Sequence, residues 1–154
     1  MRIRTLLLVA IVVWAGKLLT GQDANPLAEI KRIYIDSFGP SSEMSDLKKT
    51  ITSQLRKSRQ WQVVDSQSDA DATLEGKGEV WIRGYYSLNP RAGTSPANGK
   101  PVYGGYVSVE LKDSRGETIW SYLATLHSNS TNIDGDLAAQ VVKHLNADSL
   151  KAGK

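Results

Sequence analysis

Between Glu79 and Glu110 the chain carries no acidic residue. The interval holds three cations, Arg83, Arg91 and Lys100, and four tyrosines, Tyr85, Tyr86, Tyr103 and Tyr106. Tyr and Arg offer large contact area with a polar tip, the combination favoured at binding surfaces. These seven residues are therefore the candidate partner-binding set, suited to an acidic or glycan-bearing partner. Three glycines and three prolines in 83–101 break the alternating pattern around them, so the interval reads as a long connection between two strands. Connections of that length are functional or disordered. The competing reading is a Gly/Pro segment whose Tyr103 and Tyr106 merely pack on a strand.

Other constellations are weaker. His127 and His144 are the two histidines, with no cysteine and no zinc-type spacing between them. Asn132, Asp134 and Asp136 have the i, i+2, i+4 oxygen spacing of a calcium loop. Leu137 stands where that loop needs Gly, however, and Lys143 where it needs a bidentate Glu. Capping of a helix by Asp134 or Asp136 is the simpler reading. Residues 93–100 (GTSPANGK) suggest a phosphate loop, but the second Gly is displaced, Pro101 replaces Ser or Thr, and no helix follows. No G-x-S-x-G elbow supports a serine nucleophile. Asn129-Ser130-Thr131 fits a glycosylation acceptor, which has meaning in a eukaryotic secretory route. No cofactor and no metal site are expected.

The elements that would position these residues follow from periodicity. Residues 30–36 (IKRIYID) alternate and end at a breaker run, as a strand does. Ser41 or Ser42 then caps a helix in which Met44, Leu47, Ile51 and Leu55 form one apolar stripe. Lys48, Lys49, Arg56 and Lys57 lie off it as a solvated face. Residues 61–65 (WQVVD) make a second strand, joined to the first by a parallel crossover. From Thr73 the chain alternates again, Leu74, Gly76, Gly78, Val80 and Ile82 against Glu75, Lys77 and Glu79. Val107, Val109 and Leu111 mark a further strand. Asp113-Ser114-Arg115-Gly116 reads as a hairpin turn leading into a last strand with Trp120, Tyr122, Ala124 and Leu126 on one face. Trp61, Trp81 and Trp120 read as core. A final helix buries Leu137, Ala138, Val141, Val142 and Leu145. The order β-α-β-β-β-β-α predicts an α+β fold, a mixed sheet of about five strands with both helices on one face.

Two stretches, residues 69–80 (DADATLEGKGEV) and 107–121 (VSVELKDSRGETIWS), resemble "A-D-x-x-L-x-G-x-V" and "V-x-V-x-L-x-D-x-x-G-x-x-x-W-S". These patterns recur in bacterial envelope domains similar to the N-terminal domain of TolB and to the curli-secretion lipoprotein CsgG. With the β-α-β opening the resemblance covers residues 28–147. It implies an envelope-assembly or partner-binding module and not an enzyme. Many members of that group are lipoproteins.

The address is written in the first segment. Arg2 and Arg4 precede an apolar run from Thr5 to Ala15, broken by Gly16 and Lys17. The run is about half of the roughly 20 residues that span a bilayer, and its flanks are those of an export signal. Cleavage is expected after Ala15 or after Gly21. Leu19-Thr20-Gly21 is similar to a lipobox, but Gln22 stands where a lipid-bearing Cys is required, and the chain has no cysteine. A lipid anchor and disulfides are therefore excluded, and membrane contact requires an uncleaved leader. The predicted organisation is a signal peptide over 1–21, a linker over 22–28, one domain over 29–148 and a flexible tail over 149–154, in a periplasmic or secreted protein.

The charge balance supports that division. The 154-residue chain has a sequence pI near 9.1, which invites a nucleic-acid reading. Of its 19 Lys and Arg, three lie in residues 1–22, so the remaining 16 balance the 16 acids. Nucleic-acid binding is not expected. The expected function is an exported, non-catalytic module that binds an envelope protein or a glycan polymer. The rival is a small secreted hydrolase whose active site is assembled from distant residues.

Overall fold

The computed structural model describes residues 25–87, 91, 99–126, 130 and 132–153. The leader, both cleavage sites, His127 and most of the 93–100 segment lie outside the described residues. Five strands, β1 (Arg32–Ile35), β2 (Gln62–Val64), β3 (Ala72–Tyr86), β4 (Lys100–Asp113) and β5 (Thr118–Thr125), form one sheet in the order β2-β1-β3-β4-β5. Helices α1 (Ser42–Ser58) and α2 (Ile133–Ala152) pack against each other and against one face of the sheet. Strand β1 pairs in parallel with both β2 and β3, while β3, β4 and β5 form an antiparallel meander. The architecture is α+β, as the element order predicts.

The core follows the two periodicities. Ile33, Ile35, Leu74, Val107, Val109 and Leu111 alternate onto the helix-facing side, and each is almost fully buried. They meet the α1 stripe of Met44, Leu47, Ile51 and Leu55 and the α2 stripe of Leu137, Ala138, Val141, Val142 and Leu145. Each such Leu or Ile removed from water contributes about 1.5–3 kcal/mol. Ser41 caps α1, its hydroxyl accepting from Met44 N–H, while Asn132 and neither aspartate caps α2 by accepting from Gly135 N–H. Asp134 and Asp136 occupy the first turn of α2, where acids suit the helix dipole. The turn at Asp113–Gly116 has its glycine at φ 83° and its aspartate accepting from Arg115 and Glu117 N–H, as the sequence requires.

Beyond the α2 cap, the structure corrects four further expectations. Strand β3 runs on to Tyr86 and β4 begins at Lys100, so Arg83, Tyr85, Tyr86 and Lys100 belong to a long two-stranded ribbon and not to a loop, while Tyr103 lies on β4. Cross-strand hydrogen bonding overrides the local Gly and Pro signals here, and Pro101 is accepted because it pairs near the ribbon's end. Leu27, within the expected linker, is buried in a 3-10 turn (Pro26–Ala28) against α2 and β5. Helix α2 continues through the expected tail to Ala152 because its last turns are held by the sheet. There Trp61 Nε1 donates to Asn146 Oδ1 at 2.7 Å, and Trp120 Nε1 to Asp148 Oδ2 at 3.1 Å. Finally, Trp61 and Trp120 are core but Trp81 is not: it is 49 % exposed.

Candidate functional site

The ribbon formed by β3 and β4 carries the exposed aromatic surface. Period-two alternation puts Trp81 on the face away from the helices and Ile82 on the face toward them. Trp81 lies opposite Gly104, and its indole covers that glycine. A Cβ built at Gly104 would sit 2.7 Å from indole Nε1 and Cε2. Tyr106, opposite Glu79, meets Trp81 edge-to-face with ring centroids 6.5 Å apart and planes at 62°. Leu123 on β5 stands opposite Ser108. Gly104 leaves the floor without a side chain, and Trp81, Tyr106 and Leu123 stand around it, while Gly105 and Leu126, which alternate onto the other face, line its edge. The result is an open concavity of about 530 Å³.

Arg83 reaches this concavity through a bulge. The β3–β4 register shifts between Ile82 and Gly84, leaving Arg83 as the extra residue on β3, where bulges re-aim side chains. Arg83 lines the concavity together with Trp81 and Tyr106. The surface continues apolar beyond it: Leu123 is 57 % exposed, Ile82 51 % and Tyr86 60 %. Ile82 and its partner Tyr103 lie on the opposite face of the ribbon from Trp81. The ribbon thus shows apolar side chains on both faces, a surface larger than single exposed residues explain.

Of the seven residues expected to bind a partner, Arg83 and Tyr106 meet at the concavity. Tyr103 is half-buried on the other face. Tyr85, Tyr86 and Lys100 lie farther along, paired as Tyr85 with Pro101 and Tyr86 with Lys100. Arg91 sits in a turn beyond the strands. Trp81, Leu123 and the two glycines were missed by the sequence reading. The signal that finds them is the pairing of an out-facing Trp with a glycine across the ladder, which appears only once the register is known.

Several charged groups lower on the same face are paired with one another. Lys112 bonds Glu75 and lies 3.8 Å from Glu110, and its ammonium pKa is raised by the Glu75 hydrogen bond. Asp71 accepts from Lys31 N–H, Arg32 N–H and the Arg32 guanidinium, tying β3 to the start of β1. The guanidinium bond holds its carboxyl below the usual range. His144 stacks on Tyr122 at 4.2 Å, and Tyr122 stacks in turn on Trp120, so this histidine serves packing. Among the described residues no group of three His, Cys, Asp or Glu side chains could hold a metal ion, and no helix is long and apolar enough to cross a membrane.

No family model matches the chain, and no curated protein sequence matches it. Among solved structures it is similar to PelC from Paraburkholderia phytofirmans, a dodecamer. That match has 19 % identity over 81 % of this chain and 86 % of the other, with a TM-score of 0.40. A DUF330 protein from Xanthomonas campestris shares 12 % identity over 80 % and 82 %, with a TM-score of 0.43. A PDZ domain protein from Parabacteroides distasonis shares 12 % identity over 74 % of this chain and 30 % of that one, with a TM-score of 0.46. None of these three is a TolB or CsgG domain, and the function of this chain is read from its own residues.

Proposed function

We propose that this chain is an exported, non-catalytic envelope module that docks a protein partner on the β3–β4 ribbon, centred on Trp81 and Tyr106. The observation that carries the reading is the edge-to-face Trp81–Tyr106 pair standing exposed over Gly104, with Leu123 and Arg83 at its rim. Trp, Tyr and Arg are the residue types that dominate interface energetics. Together with Leu123 they supply area and a positive edge, not a nucleophile or a general base. Apolar side chains on both faces of a two-stranded ribbon favour a protein that encloses it over a polymer that lies on one face. Export rests on the leader, and the envelope setting also on the resemblance of residues 28–147 to TolB-like and CsgG-like domains.

The test compares the wild-type chain with a Trp81→Ala/Tyr106→Ala variant in the native host. The wild type is expected in the envelope fraction, without residues 1–15 or 1–21, and sedimenting as a complex larger than the monomer. The double variant is expected to be exported and folded but to sediment alone. Retention of the whole population in the cytoplasm overturns the export reading. An unchanged complex in the double variant overturns the docking reading.

A further inference from the structure

A second surface, independent of the ribbon, lies along α1. The helix and the loop Ser37-Phe38-Gly39 enclose an open groove of about 830 Å³. Two i, i+4 rows of α1 line it: Lys48, Thr52, Arg56 and Lys49, Ser53, Lys57. Each row reads cation, hydroxyl, cation, at steps of about 6 Å along the helix axis. No acidic side chain lines the groove. Phe38, packed on Gly76 and almost wholly buried, contributes an apolar edge to the opposite wall. The methylene stems of the lysines add further apolar lining while their heads reach water.

The cations are available. Lys49 and Arg56 pair with Asp46 at 2.7 Å and Asp65 at 3.0 Å, but both pairs are solvent-exposed, so a ligand can replace the acids. Among the described residues no carboxylate lies within ion-pair distance of Lys48 or Lys57.

We infer that this groove binds a linear anionic polysaccharide of the uronate class. Its carboxylates would seat on the cations of the two rows, its hydroxyls on Thr52 and Ser53, and its sugar C–H faces on the methylene stems of the lysines. Charge complementarity selects a polyanion, and the combination of apolar lining with spaced cations selects one that has apolar ring faces. A lipid surface fits less well. The apolar stripe of α1 is consumed by the core, and the exposed large hydrophobics (Trp81, Ile82, Tyr86, Tyr106, Leu123, Leu150) all lie off this helix, whereas an interfacial helix needs an apolar face for the bilayer. A nucleic acid lacks its stacking platform, because Phe38 is 2 % exposed.

The test uses the purified full chain with four probes: polygalacturonate, dextran, inorganic polyphosphate and phosphatidylglycerol vesicles. Polygalacturonate is expected to bind at low ionic strength and to be released as salt rises. A Lys48→Glu/Lys57→Glu variant is expected to bind at least tenfold more weakly. A Lys143→Glu/Lys151→Glu control, with the same charge change on α2, is expected to bind as the wild type. If charge reversal disturbs thermal melting, Lys48→Gln/Lys57→Gln carries the same comparison. Equal binding of polygalacturonate by wild type and groove variant overturns the site. Equal binding of polyphosphate or dextran overturns the uronate assignment. Capture of vesicles, but not polygalacturonate, in a groove-dependent manner places a membrane there instead.

Discussion

The contact between Trp81 and Gly104 can be probed by adding a single methyl group. Gly104 has ordinary strand backbone, so alanine is conformationally allowed there, and the obstacle is the indole 2.7 Å from the new Cβ. The indole is the outer, movable partner, and it must swing away. A buried Trp removes roughly 150–250 Å² from water. With Trp81 49 % exposed, about 100 Å² is at stake, or about 2.5 kcal/mol at 25 cal/mol per Å². Losing the edge-to-face contact with Tyr106 adds about 0.5–1.5 kcal/mol. Alanine returns about 0.5–1 kcal/mol relative to glycine in a strand, and the displaced ring recovers part of its contact elsewhere. Gly104→Ala is therefore expected to cost about 1–2.5 kcal/mol, a fall in Tm of about 3–8 °C. The sharper test is a double-mutant cycle by urea denaturation with Trp81→Ala. Without the indole, Gly104→Ala is expected to be neutral or slightly stabilising, a coupling well above the additivity error of about 0.5 kcal/mol. If Gly104→Ala costs the same with and without Trp81, the indole does not rest on the glycine and the geometry argued for the site is wrong.

Gly78 offers the contrasting case, because its Cβ would meet Tyr106 carbonyl oxygen at 2.4 Å and Val107 Cα at 3.1 Å. Backbone cannot swing aside, so Gly78→Ala should cost about 3 kcal/mol or more, read as a large drop in urea midpoint. Asn146→Ala leaves the buried Trp61 indole N–H without its acceptor and should cost about 1–3 kcal/mol in the same assay. Asp71 and Asp134 should show opposite pH dependences in thermal melts. The folded pKa of Asp71 is lowered by Arg32, so its contribution is present above the usual carboxylate range and lost as pH falls through the lowered value; Asp71→Asn should destabilise at pH 7 and matter less in acid. The folded pKa of Asp134 is raised by burial and by Asp46 and Glu43, so its ionised form opposes folding above that range; Asp134→Asn should raise Tm at pH 7, with a gain that vanishes towards pH 3.

What could be read from the sequence was local, and what could not depended on partners distant in the chain. The α1 stripe needs only a 3.6-residue period, and the Asp113–Gly116 turn needs only its own four residues, so both are visible without a fold. The ribbon is different. Gly84, Pro101, Gly104 and Gly105 each weaken a strand signal, and only the ladder between β3 and β4 restores it. Trp81 alternates correctly yet emerges exposed because the residue across the ladder is a glycine and no helix covers that face. The end of α2 was misread for a related reason: Asn146 and Asp148 look like surface polar residues until Trp61 and Trp120, 85 and 28 residues away, donate to them. The α1 cations were read as exposed, which they are. The loop that turns them into a groove lies outside the helix and so outside any helical pattern.

The claim that the ribbon docks a protein is tested most directly by a photo-crosslinking amino acid placed at position 106 in the native host, with position 143 on α2 as the control. The account requires one discrete protein adduct at position 106, lost when Trp81→Ala is added, and none at position 143. Equal or absent crosslinking at both positions contradicts it.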